Sequence, residues 1–251
     1  MTTPLVHRGV EAGVATLTLD NPRNRNALSR QLVAELLDGL AAAEADDSVR
    51  VVVLRAEGPS FCSGADLAEA STDGMAQGAQ QLIDIQRAIV AATKPVVVRL
   101  HGPVRAGGLG IVGAADIVIS ADTVSFAFTE ALLGLAPAAI SLTTLPRLTS
   151  RAAARSFLTG QTFDAAAAVQ MGLISEAVAP DVLDAAVDAV VADLLLASPQ
   201  GLRETKALLS GSLIADIDAR RDDVAAQSAR LFASDEARAA MQAFLQRRKK
   251  A

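Results

Sequence analysis

The sequence predicts an α/β fold with parallel strand pairing, followed by a helical tail. Three observations carry that prediction. Strand-like and helix-like stretches alternate from Val14 to Phe128, and the stretch Val49 to Arg55 (VRVVVLR) has the near-continuous Val and Leu of a strand covered on both faces. From Arg151 onward apolar residues instead recur at helical spacing.

In order, Val14 to Leu19 (VATLTL) alternates as a strand, and Asn21 to Asn26 supplies turn chemistry through Asn and Pro. Ser29 is an N-cap candidate for a helix over Leu32 to Ala45, which places Leu32, Leu36, Leu37 and Leu40 on one face. The strand Val49 to Arg55 follows. Gly74 to Ala92 reads as a helix ended by Lys94-Pro95, before a strand at Val96 to Leu100. Gly107 to Ala115 is short and apolar, Ile117 to Ser120 is a short strand, and Val124 to Phe128 alternates again. Helices are expected over Ala152 to Leu158, Asp164 to Met171, Val182 to Ala197, Gly201 to Leu209 and Asp216 to Arg247. Residues 1–195 are read as the core and 196–251 as a helical region of the same functional unit.

Composition excludes several functions. With 251 residues, 51% hydrophobic and 20% charged, the chain can bury one substantial core. A net charge of -5 argues against nucleic-acid binding, because phosphate recognition needs clustered Lys and Arg and the only basic run is Arg247 to Lys250. The single cysteine, Cys62, excludes an intrachain disulfide, and with two histidines, His7 and His101, no metal-ligand spacing occurs, so no metal is expected. No apolar run approaches the roughly 18 to 20 residues that span a bilayer, and the start lacks a signal pattern. A soluble, cytoplasmic protein without membrane contact is expected. His7 is read as part of a surface lead-in, and His101 as the start of a turn.

Two glycine-bearing loops and one carboxylate remain as chemistry: Phe61 to Leu67 (FCSGADL), Leu100 to Gly110 (LHGPVRAGGLG) and Glu130. Each loop leads from a strand-like stretch toward a helix start, where amides lack intrahelical partners. Taken singly, each is equally explained by tight helix-strand packing. Gly108-Leu109-Gly110-Ile111-Val112-Gly113 matches GxGxxG, but His101 to Gly107 separate it from the strand and the helix after it is short, against dinucleotide binding. The absence of tyrosine removes a short-chain dehydrogenase mechanism, and the absence of GxSxG removes a nucleophile elbow.

Together, and followed by Glu130, the loops resemble the crotonase superfamily of enoyl-CoA hydratases and isomerases. The resemblance runs from about Val14 to the C-terminus through NPRNRNAL, FCSGADL, KPVVVRLHGPVRAGG, ADIVIS, FxxTEALLGLAP, PRL, LTGQTFDAAAAVQMGLI and SPQGLRETKALL, in the family's order. It implies a spiral of stacked strand-strand-helix turns, C-terminal helices that make a homotrimer or dimer of trimers, and an acyl-CoA substrate with no further cofactor. It also implies oxyanion donors at the Ala65 and Gly107 N–H groups. A CoA groove is implied along Arg25, Ala27, Leu28, Ser63, Gly64, Asp66, Leu67 and Gly108, although Asp66 also suits a helix first turn.

Glu130 matches the second of the family's two catalytic glutamates, whereas the first-acid position holds Gly110. Pro137-Ala138-Ala139-Ile140-Ser141 resembles a subgroup that includes methylglutaconyl-CoA hydratases, some of which also lack the first acid. The resemblance thus implies an enoyl-CoA hydratase working with one glutamate. The alternatives are a delta3,delta2-enoyl-CoA isomerase and a CoA-thioester binder with little catalysis. Water would then be oriented by Glu130, Thr129 or Ser141. If space at 110 limits rate, Gly110→Glu raises hydration. The far end of the pocket is expected from Gly74 to Ala92 and from C-terminal helices, of this subunit or a neighbouring one.

Overall fold

The structure, a computed structural model, describes residues 3–66, 69 and 74–250, without the side chains of 74–76, 245 and 247–250. Its elements in chain order are β1 (Val6–Glu11), β2 (Val14–Leu19), α1 (Arg30–Ala45), β3 (Val51–Ala56), α2 (Gly74–Ala91), β4 (Val96–Leu100), β5 (Val104–Arg105) and α3 (Gly107–Ala114). They continue with β6 (Ile117–Ala121), β7 (Ser125–Ala127), α4 (Ala138–Thr144), α5 (Ser150–Thr159), β8 (Phe163–Asp164), α6 (Ala165–Met171) and β9 (Glu176–Val178). The chain closes with α7 (Leu183–Leu196), α8 (Pro199–Phe232) and α9 (Asp235–Lys250).

The large sheet has the order β1-β2-β3-β4-β6-β9, and β5-β7-β8 forms a second, smaller one. Every pair from β2 to β9 in the large sheet is parallel, with Val14 opposite Val51, Val52 opposite Val96 and Val97 opposite Ile117. Parallel strands need crossovers that cover the sheet, and β3 and β4 are accordingly buried almost throughout. The strand β1 is a correction to the lead-in reading of the N-terminus. Apart from Val6 it is exposed, and it pairs antiparallel with β2 through a turn at Ala12-Gly13, both at positive φ. His7 lies on it and bonds Asp20 at 2.8 Å.

Ser29 caps α1 as expected, accepting from the Leu32 N–H. The C-terminal helices differ from expectation. Instead of a break between residues 209 and 216, α8 runs unbroken past Gly211, and the chain turns at Ala233-Ser234. An interior glycine costs only about 1 kcal/mol, and burial of Leu213 and Ile217 offsets it. Ser234 then caps α9 through the Ala237 N–H at 3.1 Å, with Asp235 and Glu236 in the first turn.

The tail folds back onto the core. α8 lies along α2 and α4, and α9 lies against residues 130–133. Lys206, buried on α8, donates to the Ile89 and Lys94 carbonyls and to Asp116 Oδ2 at 2.7 Å, which pins the helix to the end of α2. Among the described residues, no helix is long and apolar enough to cross a membrane.

Candidate active site

The site is built where three loops meet. Arg25 and Asn26 both adopt left-handed conformations, φ 51° and 52°, after a 3-10 turn at Pro22–Asn24. Asn26 secures that turn from the inside. It is fully buried; its Oδ1 accepts from the Asn21 N–H at 2.7 Å and its Nδ2 donates to the Glu57 and Ser60 carbonyls. Asn tolerates positive φ better than most residues, and here every polar atom of its amide also has a partner.

Residues 63–66 run beside this loop. Ser63 N–H donates to the Arg25 carbonyl, Leu28 N–H to the Gly64 carbonyl at 2.8 Å, and Asp66 N–H to the Leu28 carbonyl at 3.4 Å. In that parallel bridge Leu28 makes both bonds, so the Ala65 N–H lies on the opposite edge. The first loop therefore offers its amide from a bridge edge. Asp66 accepts from Asn24 Nδ2 at 2.9 Å. Leu67 lies outside the described residues.

The second loop does open a helix. β5 leads into Ala106, at φ 46° and ψ -121°, and Gly107 begins α3, where first-turn amides have no intrahelical acceptor. Few L-residues adopt this φ, and such strain persists only when neighbours impose it. The Ala106 N–H donates to the Ala127 carbonyl at 3.2 Å, and its carbonyl accepts from Leu109 N–H at 2.8 Å. The loops touch: a Cβ on Gly64 would lie 2.9 Å from the Ala106 Cβ and 3.3 Å from the Gly107 nitrogen. Gly64 and Gly108, expected in the CoA groove, are packing positions and do not line the cavity. A Cβ at 108 would meet the Cys62 Cβ at 2.9 Å. Cys62 itself is buried, which pushes its thiol up to about 12 and makes it a poor nucleophile.

Glu130 opens the 3-10 turn Glu130–Leu133 immediately after β7 and faces the same cavity as Ala65 and Gly107. The residue as a whole is half-buried, but its Oε2 is cut off from solvent and has no hydrogen-bond partner among the described residues. Burial pushes the carboxyl up to about 7, against a smaller lowering by its own backbone N–H. A carboxyl with one buried, unpartnered oxygen can hold or release a proton near neutral pH.

The corner at Gly110 is not open space. A Cβ there would meet Gln86 Cδ and Ile140 Cγ2, each at 3.0 Å. Gln86 is fully buried on α2 and donates through Nε2 to the Leu82 and Ala139 carbonyls. Its Oε1 accepts from Thr143 Oγ1 at 2.6 Å, and that hydroxyl also lies 3.0 Å from the Gly110 carbonyl. No acid stands at 110, and the position is closely bordered by an amide network and an isoleucine.

Comparison with known proteins places this geometry. A family model described as "Enoyl-CoA hydratase/isomerase" matches residues 9–251. The chain belongs to the enoyl-CoA hydratase/isomerase family. A crystal structure of an enoyl-CoA hydratase from Mycobacterium avium superposes with a TM-score of 0.92 at 48% identity, covering 98% of each chain. The "Enoyl-CoA isomerase/hydratase fer4" of Mycosarcoma maydis is 31% identical, over 94% of this chain and 91% of that protein. The fold is the crotonase fold of these neighbours, with a helical C-terminus.

In this family member a cavity of about 800 Å³ gathers Arg25, Ala27, Leu28, Ser63, Ala65, Asp66, Gly107 and Glu130. Thr129 also lines it, whereas Ser141, which donates its hydroxyl proton to the Ala138 carbonyl at 2.6 Å, is not among the lining residues. His101 is bound to the Gly58 carbonyl and stays outside. Residues of α2 also line the cavity, as do this chain's own Ser228, Phe232 and Phe244. Those three were not singled out in the sequence, where nothing in the spacing of α8 and α9 marks a cavity-facing residue. Arg30 and Glu69 were missed as well; they sit at the loop mouth, joined by the Arg30 N–H to Glu69 Oε2 at 2.9 Å.

Proposed function

We propose that the protein catalyses the reversible hydration of a 2-enoyl-CoA thioester. The observation that carries this reading is the Glu130 carboxyl, whose buried Oε2 has no partner among the described residues, in one cavity with the Ala65 and Gly107 amides. Addition to the thioester places negative charge on its carbonyl oxygen, and each backbone donor aimed at that oxygen is worth about 3 to 4 kcal/mol in a dry site. Protonated Glu130 delivers its proton to carbon 2 while water adds to carbon 3. The proton lost by that water returns to the carboxylate, so the enzyme ends as it began and no electron carrier is needed. The groups at the loop mouth, Arg25, Ala27, Leu28, Ser63 and Asp66, hold the CoA portion.

A second reading, delta3,delta2 isomerisation, is favoured by the filled corner at Gly110, because moving one proton from carbon 2 to carbon 4 needs a single carboxylate and no positioned water. The two readings separate with purified protein. Loss of enoyl absorbance from crotonyl-CoA with 3-hydroxyacyl-CoA formed supports hydration; 2-enoyl-CoA formed from 3-hexenoyl-CoA supports isomerisation. Their pH dependence also differs. Hydration uses protonated Glu130 and declines as pH rises through about 7, whereas isomerisation uses the carboxylate and grows across the same window. If neither ester changes while CoA esters bind tightly, the protein is a binder. The exposed Leu196, Leu208 and Leu209 on α7 and α8 suit contact between copies, in keeping with a trimer.

A further inference from the structure

Hydration needs, besides a proton carrier, a water held at carbon 3 of the enoyl group. No acid stands at 110 to hold it, and the hydroxyls packed around that corner already have acceptors. Thr143 Oγ1 bonds Gln86 Oε1 at 2.6 Å and lies 3.0 Å from the Gly110 carbonyl. Ser141 Oγ donates to the Ala138 carbonyl at 2.6 Å, and Thr144 Oγ1 to the Ile140 carbonyl at 2.7 Å. Each hydroxyl has one proton to give, and none of these three residues lines the cavity.

Thr129 differs on both counts. It lines the cavity immediately before Glu130, and its side chain does not cap the 3-10 turn that follows it. Among the described residues, the buried side-chain atoms without a partner are Arg50 Nε, His101 Nδ1 and Glu130 Oε2, so Thr129 Oγ1 is open to water. A free hydroxyl can both accept from a water and donate to it.

The backbone holds Thr129 and Glu130 as a unit. The Thr129 carbonyl accepts from the Leu132 N–H at 3.1 Å and the Glu130 carbonyl from the Leu135 N–H at 3.0 Å, which fixes the turn carrying both side chains. Two residues earlier, the Ala127 carbonyl accepts from the N–H of Ala106, the residue before Gly107. Hydroxyl, carboxyl and oxyanion amide thus share one frame, where an error of about 1 Å can cost on the order of 10²-fold in rate. Other polar side chains on the cavity wall, Ser60, Gln81 and Ser228, come from the segment before the first loop, from α2 and from α8, and no such turn ties them to Glu130.

We infer that Thr129 is a catalytic residue of the hydration, its hydroxyl and the Glu130 carboxyl together holding the attacking water. The water oxygen forms the bond to carbon 3, and the π electrons of the C2–C3 double bond take the Glu130 proton at carbon 2. The proton released by the water returns to the carboxylate, and Thr129 keeps its own. This inference rests on the proposed hydration. It gives Thr129 no part in proton exchange at carbon 2, which uses only the carboxyl and the two amides.

The test compares wild type with full-length Thr129→Val, a change that removes the hydroxyl and keeps the shape. Hydration of crotonyl-CoA is expected to fall about tenfold to a hundredfold in kcat, with KM and the pH midpoint at their wild-type values. Exchange of the carbon 2 protons of butyryl-CoA in D2O, followed by NMR, is expected to stay within about threefold of wild type. Thr129→Ser should restore most of the hydration.

Unchanged hydration in Thr129→Val would overturn the inference. So would an equal loss of hydration and exchange, or a displaced pH midpoint, since either marks a moved Glu130. Where Thr129→Val fails to fold, Thr129→Ala reads the same ratio of hydration to exchange. Ser228→Ala and Gln81→Leu complete the set: a selective loss of hydration in either places the water elsewhere and overturns the assignment, whereas no such loss supports it. A wild-type protein that exchanges carbon 2 protons yet hydrates no 2-enoyl ester sinks the hydratase reading itself, and this inference with it.

Discussion

Glu130 and Gln86 are both buried polar side chains at the inner end of one fold, and they are treated in opposite ways. Gln86 has partners for its amide nitrogen and oxygen, in Leu82, Ala139 and Thr143. Glu130 has an oxygen with no partner among the described residues and a pKa pushed up to about 7 by burial. A satisfied buried amide fixes packing, whereas an unsatisfied carboxyl is a stability loss that persists where a proton must be moved. The difference supports the proposal of chemistry on the 130 side, with packing on the 110 side.

The largest test of that contrast is Glu130→Gln. Removing the proton carrier is expected to lower turnover by about 10² to 10⁴-fold. The KM for the CoA ester should change little, because the mouth of the cavity is untouched. Stability should move the other way. Since the folded carboxyl is raised from 4.5 to about 7, the folded state binds more protons than the unfolded chain between those pH values, and stability falls as pH rises through that window. The ionisation cost is absent below about 4.5 and fully present above about 7. Urea unfolding at pH 8 should therefore show Glu130→Gln more stable than wild type, with the gain largely gone at pH 5. A variant equally stable at both pH values would show that Oε2 is not isolated.

On the opposite side, Gly110→Glu is expected to destabilise, by about 1 to 3 kcal/mol or more, because the new side chain meets Gln86 and Ile140 at contact distance. Hydration should not rise, in contrast to what an empty slot would allow. Gln86→Leu should cost about 1 to 3 kcal/mol by removing its bonds to Thr143 Oγ1 and the Ala139 carbonyl. Its pH-rate midpoint should stay at the wild-type value. A midpoint displaced by a full unit in a folded Gln86→Leu protein would show that the two corners are coupled, and the division of roles would fail.

How far sequence could reach follows from the same contrast. β3 and β4 were legible because burial on both faces restricts them to Val, Leu and Ile. β1 was not, since all of it but Val6 is exposed and its place is set by pairing with β2. Glu130 entered through family resemblance, and its isolation could not: a missing partner is a property of the space around a residue. Gln86 was invisible for a related reason. It acquires meaning only when α2, α3 and α4 bring Gln86, Gly110 and Thr143 together, and no local pattern records that meeting. Phe232 and Phe244 likewise face the cavity because α8 continues through Gly211 and turns at Ser234.

The smallest expected effect concerns Ala106, which shares with Glu130 a local cost at the site but carries it in the backbone. At φ 46° and ψ -121° an alanine is strained by roughly 1 to 3 kcal/mol, and glycine would remove that strain while adding about 0.5 to 1 kcal/mol of unfolded-state entropy. Ala106→Gly is thus expected to stabilise by about 1 kcal/mol, read by urea unfolding. Turnover should fall only a few-fold, because the bonds from Ala106 N–H to Ala127 and from Leu109 N–H to the Ala106 carbonyl still hold the turn that aims Gly107. A loss of stability instead would mean that the Ala106 methyl, packed on Gly64, outweighs its strain. The loop would then resemble the satisfied Gln86 corner and not the unsatisfied oxygen of Glu130.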